Sequence, residues 1–219
     1  MLLLFYLIHK HDTFIEIRCL TVYATTMAQA FFCEGNSTLY FIYSHITLAK
    51  GDKWDGQTIT YLEGKAVDIT NSGSSAPVWN NSYLQRNVAR IVFDPSFANV
   101  RPKSLFYWFY NYSALTTVEG IENLNTSETT YMADMFTYCG KLTTINVDGF
   151  DMSKVKSTSM MFYDCSSLTT IYCGRKWNVE NSSYMFSGCT SLKGAVAYNY
   201  NKVDDSMANP DTGYFTRPN

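Results

Sequence analysis

The stretch Met161-Phe162-Tyr163-Asp164-Cys165-Ser166-Ser167-Leu168-Thr169-Thr170-Ile171 decides the fold, because the chain repeats it. Upstream stands Met135-Phe136-Thr137-Tyr138-Cys139-Gly140-Lys141-Leu142-Thr143-Thr144-Ile145, and downstream Met185-Phe186-Ser187-Gly188-Cys189-Thr190-Ser191-Leu192-Lys193-Gly194-Ala195. A further copy leads the series as Trp108-Phe109-Tyr110-Asn111-Tyr112-Ser113-Ala114-Leu115-Thr116-Thr117-Val118. Phe109, Phe136, Phe162 and Phe186 lie 27, 26 and 24 residues apart, and Leu115, Leu142, Leu168 and Leu192 keep the same intervals. A steady period of this length marks a chain built from stacked units.

Each part of the unit has a physical task. Leu142-x-x-Ile145-x-Val147 matches a leucine-rich-repeat strand whose alternate side chains face inward. Leu168-x-x-Ile171-x-Cys173 repeats it, and Leu192-x-x-Ala195-x-Ala197 reads as a small-residue version suited to a tapering end. Phe162, Cys165 and Leu168 are three apart, so a short helical or 3₁₀ turn would set them on one side. Leu124, Phe150 and Trp177 supply one more inward position. Such a unit cannot close a core alone, and stacking turns about 4.8 Å apart buries the apolar positions together. The expected fold is a leucine-rich-repeat-type solenoid, mostly β with short helical turns, of about four repeats of 24–27 residues. Phe109, Phe136, Phe162 and Phe186 would form one internal column, and the four leucines another.

Cys139, Cys165 and Cys189 share a third column with Tyr112 in the first copy. Buried thiols, vertical disulfides and a metal site are the three readings of such a column. Thiols pack as small apolar groups, and stacked spacing falls inside the disulfide range. A metal finds no CxxC pair or nearby His to complete tetrahedral ligands. Structural thiols are the expectation, and no cofactor is expected.

The units read roughly as MFxxCxxLTxI followed by an FDxSxV segment, here Phe150-Asp151-Met152-Ser153-Lys154-Val155. In this the chain resembles the BspA-like leucine-rich-repeat surface proteins. Val92-Phe93-Asp94-Pro95-Ser96-Phe97-Ala98 and Gly213-Tyr214-Phe215-Thr216 extend the resemblance over about residues 90–217. Two positions depart from the pattern: Tyr112 stands for Cys, and Arg175-Lys176-Trp177 lacks the FDxS form. The resemblance implies a bacterial cell-surface or secreted protein that takes part in adhesion. Its implied partners are a host extracellular-matrix or cell-surface protein, or a glycan.

Outside the repeats, residues 1–24 read as a leader or a non-native N-terminal extension. Leu2–Ile8 is a seven-residue apolar run, far short of the roughly 20 residues of a membrane span. Residues 25–103 read as a β-rich N-terminal cap, with a hairpin over 30–43, short strands at 58–61 and 66–69, and a first stacking strand at 90–93. Residues 104–196 form the repeats and 197–219 a C-terminal cap over the last turn.

Composition narrows the function classes. Charged residues make up 16% of the chain and the net charge is −2, so it lacks the basic footprint of a nucleic-acid binder. Residues 104–196 hold eight acidic and six basic side chains, again no basic stripe. His9, His11 and His45 all precede the repeats, and no nucleophile, zinc or phosphate-loop motif appears. Asp148 with Asp151 reads as solvated turn residues rather than a glycosidase pair. Asp204-Asp205 reads as a capping turn. Catalysis is not expected, and no metal site is expected.

A binding surface remains. Outward strand positions Thr117, Thr144 and Thr170 form one expected column, and Glu119, Asn146 and Tyr172 the next. Thr in such a place also serves the sheet through β-propensity and cross-strand contacts. The functional expectation is a polar platform for protein or glycan ligands. The alternative is a structural spacer or self-assembling surface module with no specific ligand. Neither ligand identity nor oligomeric state follows from the residues.

Overall fold

The computed structural model describes residues 27–44, 46, 48–62 and 76–219, with Tyr61 and Leu62 described as backbone alone. The expected leader, the strand at 66–69, and His9, His11 and His45 lie outside the described residues.

The N-terminal part begins with a hairpin. Met27–Cys33 (β1) and Thr38–Ser44 (β2) are rich in aromatic and branched residues and pair antiparallel, joined through a short 3₁₀ turn at Glu34–Asn36. Both faces of the hairpin are buried. Phe32, Leu39 and Phe41 face the main core, whereas Phe31, Tyr40 and Ile42 face a smaller cluster with Trp54 against it. Trp54 belongs to a small antiparallel pair, Lys53–Trp54 (β3) and Gln57–Thr58 (β4). Tyr61–Leu62 (β5) borders β1. A one-and-a-half-turn helix, Ser82–Asn87 (α1), is capped by the Asn81 side chain, which accepts from the N–H groups of Tyr83 and Leu84.

Arg90–Phe93 (β6) pairs parallel with β2, and Thr117–Glu119 (β7), the strand of the first copy, pairs parallel with β6. The five-stranded sheet therefore runs β5-β1-β2-β6-β7. Thr144–Asn146 (β8) and Thr170–Tyr172 (β9) pair parallel in a second sheet with Phe215–Thr216 (β10). In that register Thr144 lies beside Thr170, and Asn146 beside Tyr172.

The turns before the strands stack through their backbones. Met132, Asp134, Phe136 and Tyr138 donate their N–H groups to the carbonyls of Ser157, Ser159, Met161 and Tyr163 in the next copy. Leu105, Tyr107, Phe109 and Asn111 do the same toward Tyr131, Ala133, Met135 and Thr137, and Thr158, Met160, Phe162 and Asp164 toward Asn181, Ser183, Met185 and Ser187. In each copy two residues four apart take positive φ: Tyr107 and Asn111, Asp134 and Tyr138, Met160 and Asp164, Tyr184 and Gly188. Bonds from Cys139 N–H to the Phe136 carbonyl and from Leu142 N–H to the Cys139 carbonyl then carry the chain to its strand. Over Phe-x-x-Cys-x-x-Leu, where a short helical or 3₁₀ turn was expected, successive i→i+3 turns bring the three side chains into one core, and the left-handed residue between Phe and Cys keeps them from running on as a helix.

Phe109–Phe136, Phe136–Phe162 and Phe162–Phe186 ring centroids lie 5.4, 5.8 and 6.0 Å apart, the last two pairs nearly parallel. Leu115, Leu142, Leu168 and Leu192, together with Leu124, Phe150 and Trp177, are buried in the same core. Cys139, Cys165 and Cys189 are buried free thiols, each donating to the carbonyl of the preceding copy's Phe: Phe109, Phe136 and Phe162. Tyr112, in the same column, reaches the N-terminal part instead, its hydroxyl donating to the Trp79 carbonyl at 2.8 Å. The carbonyl of Trp108 accepts from the Trp79 indole, and that of Tyr107 from the Asn80 amide.

Two expectations fail at the ends of the repeat series. Ala195 and Ala197 are exposed rather than inward. After Leu192 the chain doubles back, with Lys193 bridging Ala197, and Gly194 lies hard against the Gly213–Tyr214 backbone. The fourth strand's place beside β9 is taken by β10, which buries Phe215 against Trp177 and Phe186. The first strand also stands apart, since β7 joins the N-terminal sheet while β8 heads its own. Gly120 (φ +64) ends β7, and Asn123 donates to the Phe93 carbonyl, which holds this connection on the β6 side.

Candidate functional site

The six outward strand residues divide between the two sheets. Thr117 and Glu119 project from β7, beside Arg90 and Val92 of β6. Glu119 is occupied: Arg90 grips it with two donors, Nε to Oε1 at 2.7 Å and Nη2 to Oε2 at 2.5 Å. This bidentate pair lowers the Glu119 carboxyl and raises the Arg90 guanidinium from their ordinary values. Arg90 was not among the expected face residues. Its signal was present, because one 27-residue step back from Thr117 lands on it.

Thr144, Asn146, Thr170 and Tyr172 sit together on β8 and β9. Thr144 and Asn146 are exposed, and Thr170 and Tyr172 are half-buried. Asn146 Oδ1 accepts from the Asp148 N–H in a local turn. Thr216 of β10 lies beside Tyr172 in register, so the chain's last strand widens this face, a residue that repeat spacing could not locate. Thr169, one residue before the face, donates its hydroxyl to the Thr143 carbonyl, and Thr116 does so to that of Ala89. Those threonines tie neighbouring copies together and leave the next position in line for solvent.

The chemistry on offer is hydrogen bonding by hydroxyl, amide and phenol groups on a backbone fixed by parallel pairing. The buried thiols lie away from this face, and burial pushes all three well up, Cys189 to about 12. An activated thiol needs the opposite shift. Among the described residues no group of three or more His, Cys, Asp or Glu side chains is placed to hold a metal ion. Asp148 and Asp151 are turn residues: Asp148 Oδ1 accepts from the Gly174 N–H, and Asp151 Oδ1 from that of Ser153. Asp204 caps a short 3₁₀ helix, Asp205–Met207, and Asp205 accepts from Val179 N–H and Ser182 Oγ. No helix among the described residues is long and apolar enough to cross a membrane.

Residues 100–208 match a family model described as Mycoplasma protein of unknown function, DUF285, which is associated with BspA-like surface repeat proteins. The match takes in all four copies and covers just under half of the chain. No curated protein and no solved structure matches the chain.

Proposed function

We propose that the segment matched by this family of unknown function is a leucine-rich-repeat solenoid that binds a protein or glycan ligand without catalysing a reaction. Its place of action is the cell surface or the medium, where it serves adhesion to host matrix or cell-surface partners. The observation that carries this reading is the paired register of Thr144 with Thr170 and Asn146 with Tyr172. Uncharged donors and acceptors stand there at strand spacing on a backbone that no ligand has to order, which lowers the cost of binding. The association of the matched family with surface repeat proteins supports the same reading.

The test is a binding screen of the full chain against matrix proteins and glycans, followed by Thr144→Ala and Tyr172→Ala. Saturable binding to one ligand, weakened about tenfold or more by Tyr172→Ala, is expected, in line with tyrosine's place among interface anchors. Binding that both variants leave intact would remove the ligand from this face.

A further inference from the structure

Several tyrosines of the repeat segment spend their hydroxyls inside the fold. Tyr112 donates to the Trp79 carbonyl, Tyr214 to the Lys202 carbonyl, and Tyr198 accepts from the Gly188 N–H. Tyr107, Tyr110, Tyr138 and Tyr163 differ: their hydroxyls have no hydrogen-bond partner among the described residues, and their rings meet one another. Centroids lie 4.4 Å apart for Tyr107–Tyr110, 5.7 Å for Tyr110–Tyr138 and 5.6 Å for Tyr138–Tyr163. The first pair is tilted by 35°, and the other two stand nearly perpendicular, the edge-to-face geometry that aromatic pairs prefer. Tyr138 is exposed and the other three are half-buried. The unpartnered hydroxyls of Tyr107, Tyr110 and Tyr163 are not buried.

This ridge crosses three copies. Tyr110 and Tyr163 hold the same repeat position, and the copy between them puts Thr137 there and its tyrosine one residue later, at Tyr138. That offset sets a ring between those of its neighbours. The backbone is fixed at both joins: the Asn111 N–H donates to the Thr137 carbonyl at 2.7 Å, and the Tyr138 N–H to the Tyr163 carbonyl at 2.8 Å. Phe106 also stacks on Tyr107, at 4.0 Å, so the rings here pack largely on one another rather than standing open as a platform. The five described cysteines are buried, which keeps their thiols from intercepting an oxidant at this surface.

We infer that the ridge is an oxidative cross-linking site at which Tyr110 joins a neighbouring tyrosine, Tyr138 of the next copy or Tyr107 of its own. The oxidant is a peroxide acting through a haem peroxidase. Each phenol gives up the hydrogen atom of its O–H, and the two radicals bond through ring carbons ortho to the oxygens. The hydrogens on those carbons then move to the oxygens. The tyrosine pair loses two electrons and two protons in all, and the peroxide takes up both and leaves as two waters. Contact within the fold replaces the encounter that two free radicals need, so coupling inside one molecule outruns coupling between molecules. A Tyr110–Tyr138 bond staples the first copy to the second outside the core. The inference does not rest on the function proposed for the β8–β9 face.

Treatment of the full chain with hydrogen peroxide and a haem peroxidase tests it. The monomer gains dityrosine fluorescence and loses the mass of two hydrogens. Cleavage after Glu119, Glu122 and Glu128 separates Tyr110 from Tyr138, so a linked peptide pair reports the bond between copies, and a link within the Tyr107–Tyr110 peptide the bond inside one. Tyr110→Phe keeps the ring, so its thermal midpoint matches the parent's while most of the monomer's dityrosine is lost. Tyr200→Phe leaves the signal unchanged, although Tyr200 is far more exposed at 79%. Links formed only between molecules, a monomer link mapped to other tyrosines, or one that survives Tyr110→Phe would overturn the assignment.

Discussion

Phe162 shows what one residue contributes to the stack. It is fully buried between Phe136 and Phe186, and its N–H and carbonyl are both spent, on the Met185 carbonyl and on the Cys165 and Cys189 donors. Phe162→Ala leaves a cavity in mid-column and should cost about 3–5 kcal/mol in equilibrium unfolding. A loss under about 1 kcal/mol would show that the neighbours close the gap. The thiols make a pH prediction. Burial raises Cys139, Cys165 and Cys189 above the ordinary 9.0, so the fold holds their protons more tightly than the unfolded chain does. Their contribution is whole below pH 9. It declines as pH rises from there toward about 12, the value for Cys189, by about 1.4 kcal/mol per thiol for each pH unit. Urea midpoints measured across this range should fall more gently in Cys189→Ala than in the parent chain.

At the scale of the element, the turns depend on residues that tolerate positive φ. Gly188 (φ +80) is the glycine among the eight left-handed positions of the four copies, and a Cβ there would stand 2.2 Å from Asp164 Oδ1. Gly188→Ala should cost about 1–3 kcal/mol. Gly140→Ala, whose nearest contact would be Ser166 Oγ at 3.7 Å, should cost far less. Thermal unfolding of the two variants side by side checks this. The difference also shows what could be read in advance. The columns of Phe, Leu and Cys were legible because an inward position must repeat wherever one turn lies on another. The left-handed pairs were not, because Tyr107, Asp134, Met160 and Tyr184 share a conformation without sharing chemistry. Nor was the substitution of β10 for a fourth strand, since Phe215 lies outside the period and reaches β9 only after the chain doubles back at Lys193–Ala197. Within the face, Asn146 and Tyr172 followed from alternation. Glu119 was legible as an outward residue but not as one already committed to Arg90.

Across the whole molecule, one main core runs from Ala28 to Phe215 without a break. The ends of the stack are closed by different means. Trp79 and Asn80 donate side-chain N–H groups to the first turn's carbonyls, while the C-terminal segment lays the Val203 carbonyl on the Phe186 N–H and β10 on the edge of β9. A chain ending at residue 196 loses that cover and exposes Trp177 and Phe186 beside an open strand edge. It should associate more strongly than the full chain at the same micromolar concentration, and light scattering of the two side by side decides the matter. The ladder between copies carries one more consequence. In the turns before the strands alternate N–H groups point toward the C-terminal neighbour, while the N–H groups of Thr130, Lys156 and Asn181 and the three thiols point back toward the N-terminal one, and each copy repeats the same set. A copy gained by in-frame duplication, or lost by unequal recombination, would therefore meet its neighbours with no backbone group left over. A chain lengthened in this way would still need only the two ends already present.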